Sequence, residues 1–206
     1  MKSSPRAKQL LLGGAKTHQM DNLKLTAGLA ALTLTILVHS TVTQAVDESA
    51  SAVIKDTNGE TVGIASFTQA PAGVLLKLSL TRMPPGEHAF HIHAVGKCDP
   101  FSFDSAGPIF NPSNTHHGIL VGPGNAGDMP NLHIPPTGAL EIELVNPAIA
   151  LDKSKPNSIL RPGGASLVIH AGKDDYTTDP DGNAGSRIAC GVISKAPVTV
   201  NRSSAP

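Results

Sequence analysis

Residues 51–67 read SAVIKDTNGETVGIASF, and the side-chain pattern of this stretch indicates which class of fold to expect. Two runs of alternating residues flank the pair Asn58-Gly59. This pair predicts a β-hairpin, because a tight type I′ turn needs positive φ at both central positions and Asn-Gly accepts it. The side-chain period on either side is two, that of a strand, and not the 3.6 of a helix. The stretch therefore predicts two antiparallel strands.

Five further segments extend the period-two pattern, each bounded by turns that contain Gly or Pro. They are GVLLKLSL (73–80), HAFHIHAV (88–95), GALEIELV (138–145), ASLVIHAG (165–172) and SRIACGVI (186–193). No stretch favours a long amphipathic helix, so the strands have only one another to cover their apolar faces. We expect an all-β fold, an antiparallel Greek-key sandwich or barrel. Two long connections, at about 96–137 and 171–187, are where a functional site is expected.

The charge distribution argues against nucleic acid as a partner. The first 45 residues hold five of the 16 basic and one of the 16 acidic residues, which leaves the rest with a net charge of −4. A surface that binds nucleic acid would be basic. With no Trp and only Tyr176 as tyrosine, the chain also has few aromatic platforms on which bases or sugars could stack.

The N-terminal 45 residues have the pattern of an export signal. Basic residues precede the apolar run Leu25–Val38, and small residues follow at Thr43 and Ala45. The run is too short to span a bilayer comfortably, so we expect cleavage after Ala45, with an uncleaved anchor as the alternative. Either Met1 or Met20 can be the start. The predicted organisation is an export signal over 1–45, a β domain over 46–195 and a C-terminal tail over 196–206, in a periplasmic or secreted protein without membrane contact after processing.

Export makes a disulfide the expected state of the two cysteines, Cys98 and Cys190. Neither cysteine belongs to a CxxC motif, which weakens the alternative of a metal-ligating or catalytic thiol. Closing a loop of about 90 residues would stabilise the fold by roughly 4 kcal/mol in the chain-entropy account.

A pair of histidines two residues apart points to a metal site. In FHIH (90–93), a strand would direct the rings of His91 and His93 to one face. A third histidine, His170, ends the apolar segment SLVI. Copper and zinc bind imidazole nitrogen readily, so these residues predict a metal centre.

The loop between the strands adds further candidate ligands. THHGI (115–119) contains His116 and His117, and AGDMPN (126–131) contains Asp128. His133, in NLHI, is explained as an ordinary strand residue.

Four motifs, in this order along the chain, make the sequence resemble the copper/zinc superoxide dismutases, and most closely the exported bacterial branch. They are HAFHIHAVGKCD (88–99), SAGPIFNP (105–112), AGDMPNLH (126–133) and DGNAGSRIACGVI (181–193). The resemblance runs from about Val53 to Ile193 and implies a β-sandwich. It also implies a copper enzyme that converts superoxide to oxygen and hydrogen peroxide in alternating one-electron steps.

Carried over residue by residue, the resemblance implies that His91, His93 and His170 hold copper. The family's fourth copper ligand is a histidine that it shares with zinc, and here that position is Ile109. An alkyl side chain has no lone pair, so it can neither bridge two metals nor store a proton for the reaction. Water would have to supply the proton.

The resemblance also implies a zinc site, but only half of its ligands remain. His117 and Asp128 match family ligands, whereas Asn125 stands where the family has another histidine. Structural zinc normally has four protein ligands, so we expect zinc to be absent or weakly bound. His116 is the alternative replacement ligand.

Two further residues match functional positions of the family. Asp174 corresponds to the carboxylate that links a copper ligand to a zinc ligand, here His91 to His117, and such partners fix ring orientation. Arg187 corresponds to the arginine that docks the superoxide anion, a role suited to a permanently charged guanidinium.

Three functions stay open on the sequence alone. The chain is a superoxide dismutase that uses copper, a copper-binding or storage protein of the same fold, or a structural protein. Arg187 favours the enzyme, because a copper store has no need for an anion-docking group. The oligomeric state is also open, with a homodimer among the options.

Overall fold

The structure is a computed structural model and describes residues 48–196; the predicted export signal and residues 197–206 of the predicted tail lie outside the described residues. Within this range no helix is long and apolar enough to cross a bilayer. The secondary structure comprises strands and one turn of 3-10 helix, Asp104–Ala106. The strands are Ser49–Asp56 (β1), Thr61–Ala70 (β2), Gly73–Leu80 (β3), Gly86–His88 (β4), Phe90–His93 (β5), Leu132–Ile134 (β6), Leu140–Asn146 (β7), Ala165–His170 (β8) and Arg187–Lys195 (β9).

The strands form antiparallel sheets around one apolar core. Seven of them lie in the order β5-β8-β9-β1-β2-β3-β7, and β4 pairs with β6. The neighbours β5 and β8, β9 and β1, and β3 and β7 are distant in sequence, which is typical of Greek-key connections. The all-β prediction is therefore confirmed. Alternate residues of β3 show why the period of two matters, since Val74, Leu76, Leu78 and Leu80 are all buried in the core.

The first hairpin forms as predicted, but its turn differs from the predicted type. The φ angle is positive at Gly59 (82°) and not at Asn58, so the two-residue type I′ turn is wrong. The N–H of Gly59 donates to the carbonyl of Asp56 and the N–H of Asp56 to the carbonyl of Glu60, which closes a three-residue loop ending in a left-handed glycine. The reason is the Asp56 carboxylate, which accepts hydrogen bonds from the N–H groups of Asn58 and Glu60 and so favours the longer turn.

The segment predicted as one strand over 88–95 is divided in the structure. Pairing changes at Ala89, which separates β4 from β5, and β5 ends at His93. Beyond that point Ala94 and Val95 still donate backbone hydrogen bonds, but to the loop carbonyls of Pro108 and Ala106. The chain stays extended while its partner changes from a strand to a loop.

The connection over 147–164 is a third long loop, which the sequence pattern did not reveal. Its apolar residues close part of the core instead of lying on the surface: Ile149, Leu151, Ile159 and Leu160 belong to the core cluster. The backbone N–H of Leu151 donates to Oε1 of Gln69 on β2, which fixes the loop to the sheet. The Pro and Gly residues at its ends are typical of turns, so the sequence pattern did not indicate that this segment is buried.

Strand β5 presents different faces to the core and to the long loops. Phe90 and Ile92 point into the core, while His91 and His93 are buried on the opposite face. The outer edge of β5 is covered by a loop, because Phe110 donates to the carbonyl of Ile92 and Ile92 to that of Gly127. This pairing sets the loop around residue 109 directly beside the histidines.

The predicted disulfide between Cys98 and Cys190 is present, with a Cα–Cα distance of 5.8 Å. It joins the loop after β5 to strand β9, and Cys190 packs with Phe103, Ala106 and Val168 in a small apolar cluster. The first long loop is therefore held at two places, by the disulfide at Cys98 and by backbone hydrogen bonds to the edge of β5.

Candidate metal centre

The three histidines predicted as copper ligands converge on one point. His91 and His93 lie on β5 and His170 at the end of β8, and these strands pair antiparallel. One ring nitrogen of each residue lies within 4.8 Å of those of the other two, and all three residues are buried. Separations of 5.1 to 6.3 Å between the ring centroids leave the rings in a triangle around a common centre.

Hydrogen bonds fix which nitrogen of each ring faces that centre. One nitrogen per ring is engaged by a protein acceptor, with distances of 2.8 to 3.1 Å. The pairs are His91 Nε2 with Asp174 Oδ2, His93 Nδ1 with the carbonyl of Gly107, and His170 Nδ1 with the carbonyl of Gly185. The opposite nitrogens remain. His91 Nδ1 is buried without a partner, and the Nε2 atoms of His93 and His170 lie 3.4 Å apart.

The residues fit copper. His91 Nδ1 is buried without a hydrogen-bond partner, and the Nε2 atoms of His93 and His170 are both acceptors, so they cannot satisfy each other. A metal ion would satisfy all three. Burial lowers the pKa of His93 to about 3 and that of His170 to about 4, although hydrogen bonds to backbone carbonyls oppose the shift. Both rings are therefore neutral at pH 7 and keep a lone pair. Neutral imidazole is a ligand that copper favours.

His117 lies between two carboxylates beside this centre. Its Nδ1 is 2.9 Å from Asp128 Oδ1 and its Nε2 is 3.0 Å from Asp174 Oδ1. Burial alone would lower the pKa of His117, but these hydrogen bonds raise it to about 10. Asp174 also bonds His91, so one carboxylate connects both sites, as the resemblance implied. Burial would raise the pKa of Asp174, but the bonds from His117 and His91 hold it well below its usual value.

The residues around His117 do not fit zinc. Asp128 Oδ2 already accepts hydrogen bonds from the N–H groups of Asn125 and Gly118. The Asn125 side chain contacts the Thr115 hydroxyl at 3.5 Å, and Ile109 offers no donor atom. A third possible ligand of this group, His91, already belongs to the copper group. Two ligands of its own are too few for structural zinc, which takes four.

Neither of the other two exposed histidines completes the zinc site. The side chain of His116 is 93% exposed, and its Nδ1 lies 3.7 Å from Asp179. His133 lies on β6, where it faces Glu87 at 3.4 Å. In this structure His116 therefore lies apart from the zinc half-site, and its role as a replacement ligand stays a prediction; His133 is a strand residue.

Arg187 approaches the copper centre from the start of β9. Its guanidinium donates to the carbonyl oxygens of Phe103 and Gly107, each at 2.8 Å. The same Gly107 carbonyl accepts from His93, so the arginine and a copper ligand share one backbone atom. Burial lowers the pKa of Arg187 from its usual value. A guanidinium nevertheless stays charged at neutral pH, so it can attract an anion.

Several residues that shape the centre carry no signal in the sequence. The carbonyl of Gly107 positions two functional side chains, and His88 Nδ1 lies 2.8 Å from the carbonyl of His170. The carboxylate of Asp179 accepts from the N–H of His117 at 2.7 Å. Gly182 packs directly against the Asp174 carboxylate, where a Cβ would clash. A backbone carbonyl or a glycine leaves no chemical pattern in the sequence. Of these residues, only Gly182 in DPDG could have been predicted to matter.

Known proteins share this sequence and fold. Residues 61–193 match the family model described as copper/zinc superoxide dismutase. The Cu-Zn superoxide dismutase 1 of Aquifex aeolicus is 50% identical over 142 residues, which cover 68% of this chain and 84% of that protein. The Cu-Zn superoxide dismutase of Caulobacter vibrioides is 42% identical over 149 residues, 70% of this chain and 85% of that one.

A solved structure agrees with these matches. It is a superoxide dismutase-like protein from Bacillus subtilis, a double mutant with a tyrosine and a proline each replaced by histidine. It matches with a TM-score of 0.67 and 35% identity, over 68% of this chain and 94% of that chain.

Proposed function

The chain belongs to the copper/zinc superoxide dismutase family, and from this we propose that it is a superoxide dismutase whose metal centre uses copper. The reaction converts two superoxide anions and two protons to oxygen and hydrogen peroxide. The observation that carries the proposal is the convergence of three buried imidazoles, each with one nitrogen that bonds no carbonyl or carboxylate of the described residues, beside a guanidinium. Bound copper would supply the one-electron redox chemistry, accepting an electron from one superoxide and returning it to the next.

The three histidines would hold the metal through the nitrogens that have no protein partner. Asp174 and the carbonyls of Gly107 and Gly185 would keep the rings oriented, so that the lone pairs point inward without rearrangement. Preorganisation of this kind matters because a misplaced ring would have to be moved at a cost in affinity.

Arg187 would dock the substrate. Its guanidinium is held by neutral carbonyl oxygens, and within residues 48–196 it forms no salt bridge, although Asp104 and Asp181 lie near enough to act on its pKa. A small anion is attracted to a charge of this kind in a partly buried setting more strongly than in water. A copper store would have no use for this group, which favours an enzyme.

Ile109 removes a proton donor from the site. Because no histidine stands at this position, the protons that complete peroxide formation would come from water. We expect turnover below the near-diffusional rate of superoxide dismutases and a steeper loss of activity at high pH than in relatives that have the bridging histidine.

In the same scheme the chain is exported, its first 45 residues are removed, and the mature protein meets superoxide in the periplasm or the medium, free of the membrane. The disulfide supports an oxidising compartment. A size measurement on the purified protein tests whether it forms a homodimer.

A superoxide-consumption assay on copper-loaded protein tests the proposal. Wild-type protein with stoichiometric copper, assayed with a chelator that silences unbound copper, should consume superoxide well above the metal-free protein. Arg187→Ala should reduce the rate about tenfold or more at unchanged copper content, because Arg187 holds no metal, with Arg187→Lys between the two. The matched control is Arg82→Ala, which removes an exposed guanidinium paired with Glu60 and should leave the rate unchanged.

The opposite outcome is equally clear. If copper-loaded wild-type protein, with unbound copper chelated, consumes no more superoxide than the metal-free protein, the enzyme proposal fails, and copper binding or storage becomes the function of the site.

A further inference from the structure

The three converging imidazoles have a saturated neighbour, Ile109. Ile109 pairs with His93 in an isolated antiparallel bridge, and it is only 5% exposed. The backbone of β5 and its covering loop therefore fix this alkyl side chain next to the copper ligands. Ile109 stands at the position where a histidine would offer the metal a further nitrogen ligand.

Among residues 48–196 the centre consequently offers three imidazole nitrogens and no further side-chain ligand. Within residues 48–196, the group that contains His91, His93 and His170 has three members. The nearest carboxylate, Asp174, has one oxygen on His91 Nε2 and the other on His117 Nε2, so neither oxygen faces the centre. No anionic side chain of the described residues is available as a direct ligand.

Three neutral donors in a buried site do not suit the two oxidation states of copper equally. Cu(II) prefers four or more ligands in a tetragonal arrangement. The cost of transferring an ion from water to the interior rises steeply with its charge, so a doubly charged ion without an anionic ligand is penalised more than a singly charged one. Cu(I) tolerates three ligands and brings half the charge.

We propose that Ile109 determines the oxidation-state preference of this centre and makes it selective for Cu(I). The inference rests on the copper site of the proposed function, but it concerns binding and not turnover. It follows that restoring a nitrogen donor at this one position should strengthen Cu(II) binding and leave Cu(I) binding nearly unchanged.

Competition binding on the mature protein tests this inference with the metal alone. The Cu(I) dissociation constant is measured anaerobically against a Cu(I)-specific chelator, and the Cu(II) constant against an aminocarboxylate. The variants are Ile109→His and, as a matched control that keeps an alkyl side chain, Ile109→Val. Position 109 suits the substitution, because it pairs with His93 in an antiparallel bridge, which places both side chains on the same side of the sheet.

Wild-type protein should bind Cu(I) more tightly than Cu(II). Its ratio of Cu(II) to Cu(I) dissociation constants should exceed that of Ile109→His at least tenfold, equivalent to about 59 mV for a one-electron couple. Ile109→Val should match the wild type. The Cu(II) electron paramagnetic resonance spectrum should also gain coupling to one more nitrogen in Ile109→His.

Equal ratios in wild type and Ile109→His would overturn the inference and leave the copper site and the dismutase proposal intact. Should Ile109→His fail to fold, wild-type protein alone decides, since tighter binding of Cu(II) than of Cu(I) contradicts the preference. Binding of neither ion refutes both this inference and the proposed copper site.

Discussion

Asp174 is the residue on which most of the metal centre depends. Each of its carboxylate oxygens bonds a histidine, His91 on one side and His117 on the other, and it has room to do so because residue 182 is a glycine. The Cβ of any other residue at position 182 would overlap the carboxylate and approach Nε2 of His117 to 2.8 Å.

Replacing Gly182 by Ala should therefore displace Asp174. The change also strains the backbone, because φ is 67° at this position. Gly163→Ala is the matched control, since Gly163 has a φ of 87° but no atoms within 4 Å of the point where a Cβ would lie, so it tests strain alone. Overpacking costs roughly 1–3 kcal/mol, so Gly182→Ala should lower the free energy of unfolding by about that much more than Gly163→Ala. Urea denaturation measures both, and equal losses would show that the contact with Asp174 carries no cost.

The elevated pKa of His117 predicts a loss of stability at alkaline pH in metal-free protein. The folded-state value of about 10 lies above the unfolded value of about 6.5, so the contribution is complete below pH 6.5 and disappears as pH rises through 10. The slope should approach about 1.4 kcal/mol per pH unit between these limits.

Urea denaturation at a series of pH values measures this slope. His117→Gln should flatten it, whereas His133→Gln, which alters an exposed histidine, should keep the wild-type slope. An unchanged slope in His117→Gln would mean that His117 is not the group that titrates.

Metal content should follow from Ile109 and Asn125. Purified protein should contain close to one copper and well under one zinc per chain, because the zinc half-site has two ligands of its own. Combining Ile109→His with Asn125→His should raise zinc retention after dialysis, and with it the rate of dismutation. Metal analysis by mass spectrometry checks both metals. Stoichiometric zinc in the wild-type protein would contradict the prediction.

At the scale of elements, the loop that follows β5 and contains the 3-10 turn holds Arg187 in place. Phe103 and Gly107 supply the carbonyls that hold Arg187, and the disulfide from Cys98 to Cys190 ties the same loop to β9. The arginine itself begins β9, so the disulfide joins the two elements whose relative position orients it.

Removal of this disulfide by Cys98→Ser together with Cys190→Ser should lower the free energy of unfolding by about 2–5 kcal/mol. It should also reduce superoxide consumption more than copper content, because the loop supplies both carbonyls that hold Arg187 but only one of the three acceptors that orient the histidines. Denaturation, metal analysis and the activity assay report on these separately. Parallel losses of copper and of activity would show that the loop supports the ligands instead.

At the scale of the whole molecule, the net charge of −4 outside the first 45 residues does not favour the approach of an anion. Local attraction must come from Arg187, which makes a single side chain more important than the overall field. The disulfide is consistent with the proposed export, because disulfides persist in oxidising compartments.

We expect the mature protein to begin near Val46 and to contain no free thiol. N-terminal sequencing and thiol counting on protein from the periplasm or medium check this, because an export signal and an oxidising compartment are expected together. Two free thiols in exported protein would contradict it.

The sequence by itself determined the features that depend on near neighbours along the chain. A period of two predicts strands, and His91 and His93 face the same side of β5 because they are two residues apart. His170 was already a candidate ligand at the end of an apolar segment, and the motif resemblance grouped it with His91 and His93 and identified Asp174 as their neighbour.

Tertiary structure alone decided the features that join distant segments. His91 meets Asp174 across 83 residues, and Arg187 meets Gly107 across 80, contacts that arise only when β5, β8, β9 and their loops pack together. The free nitrogen of each ring depends on which acceptor the fold brings to the other one. A single sequence encodes periodicity directly, whereas the geometry between remote side chains exists only after the core has formed.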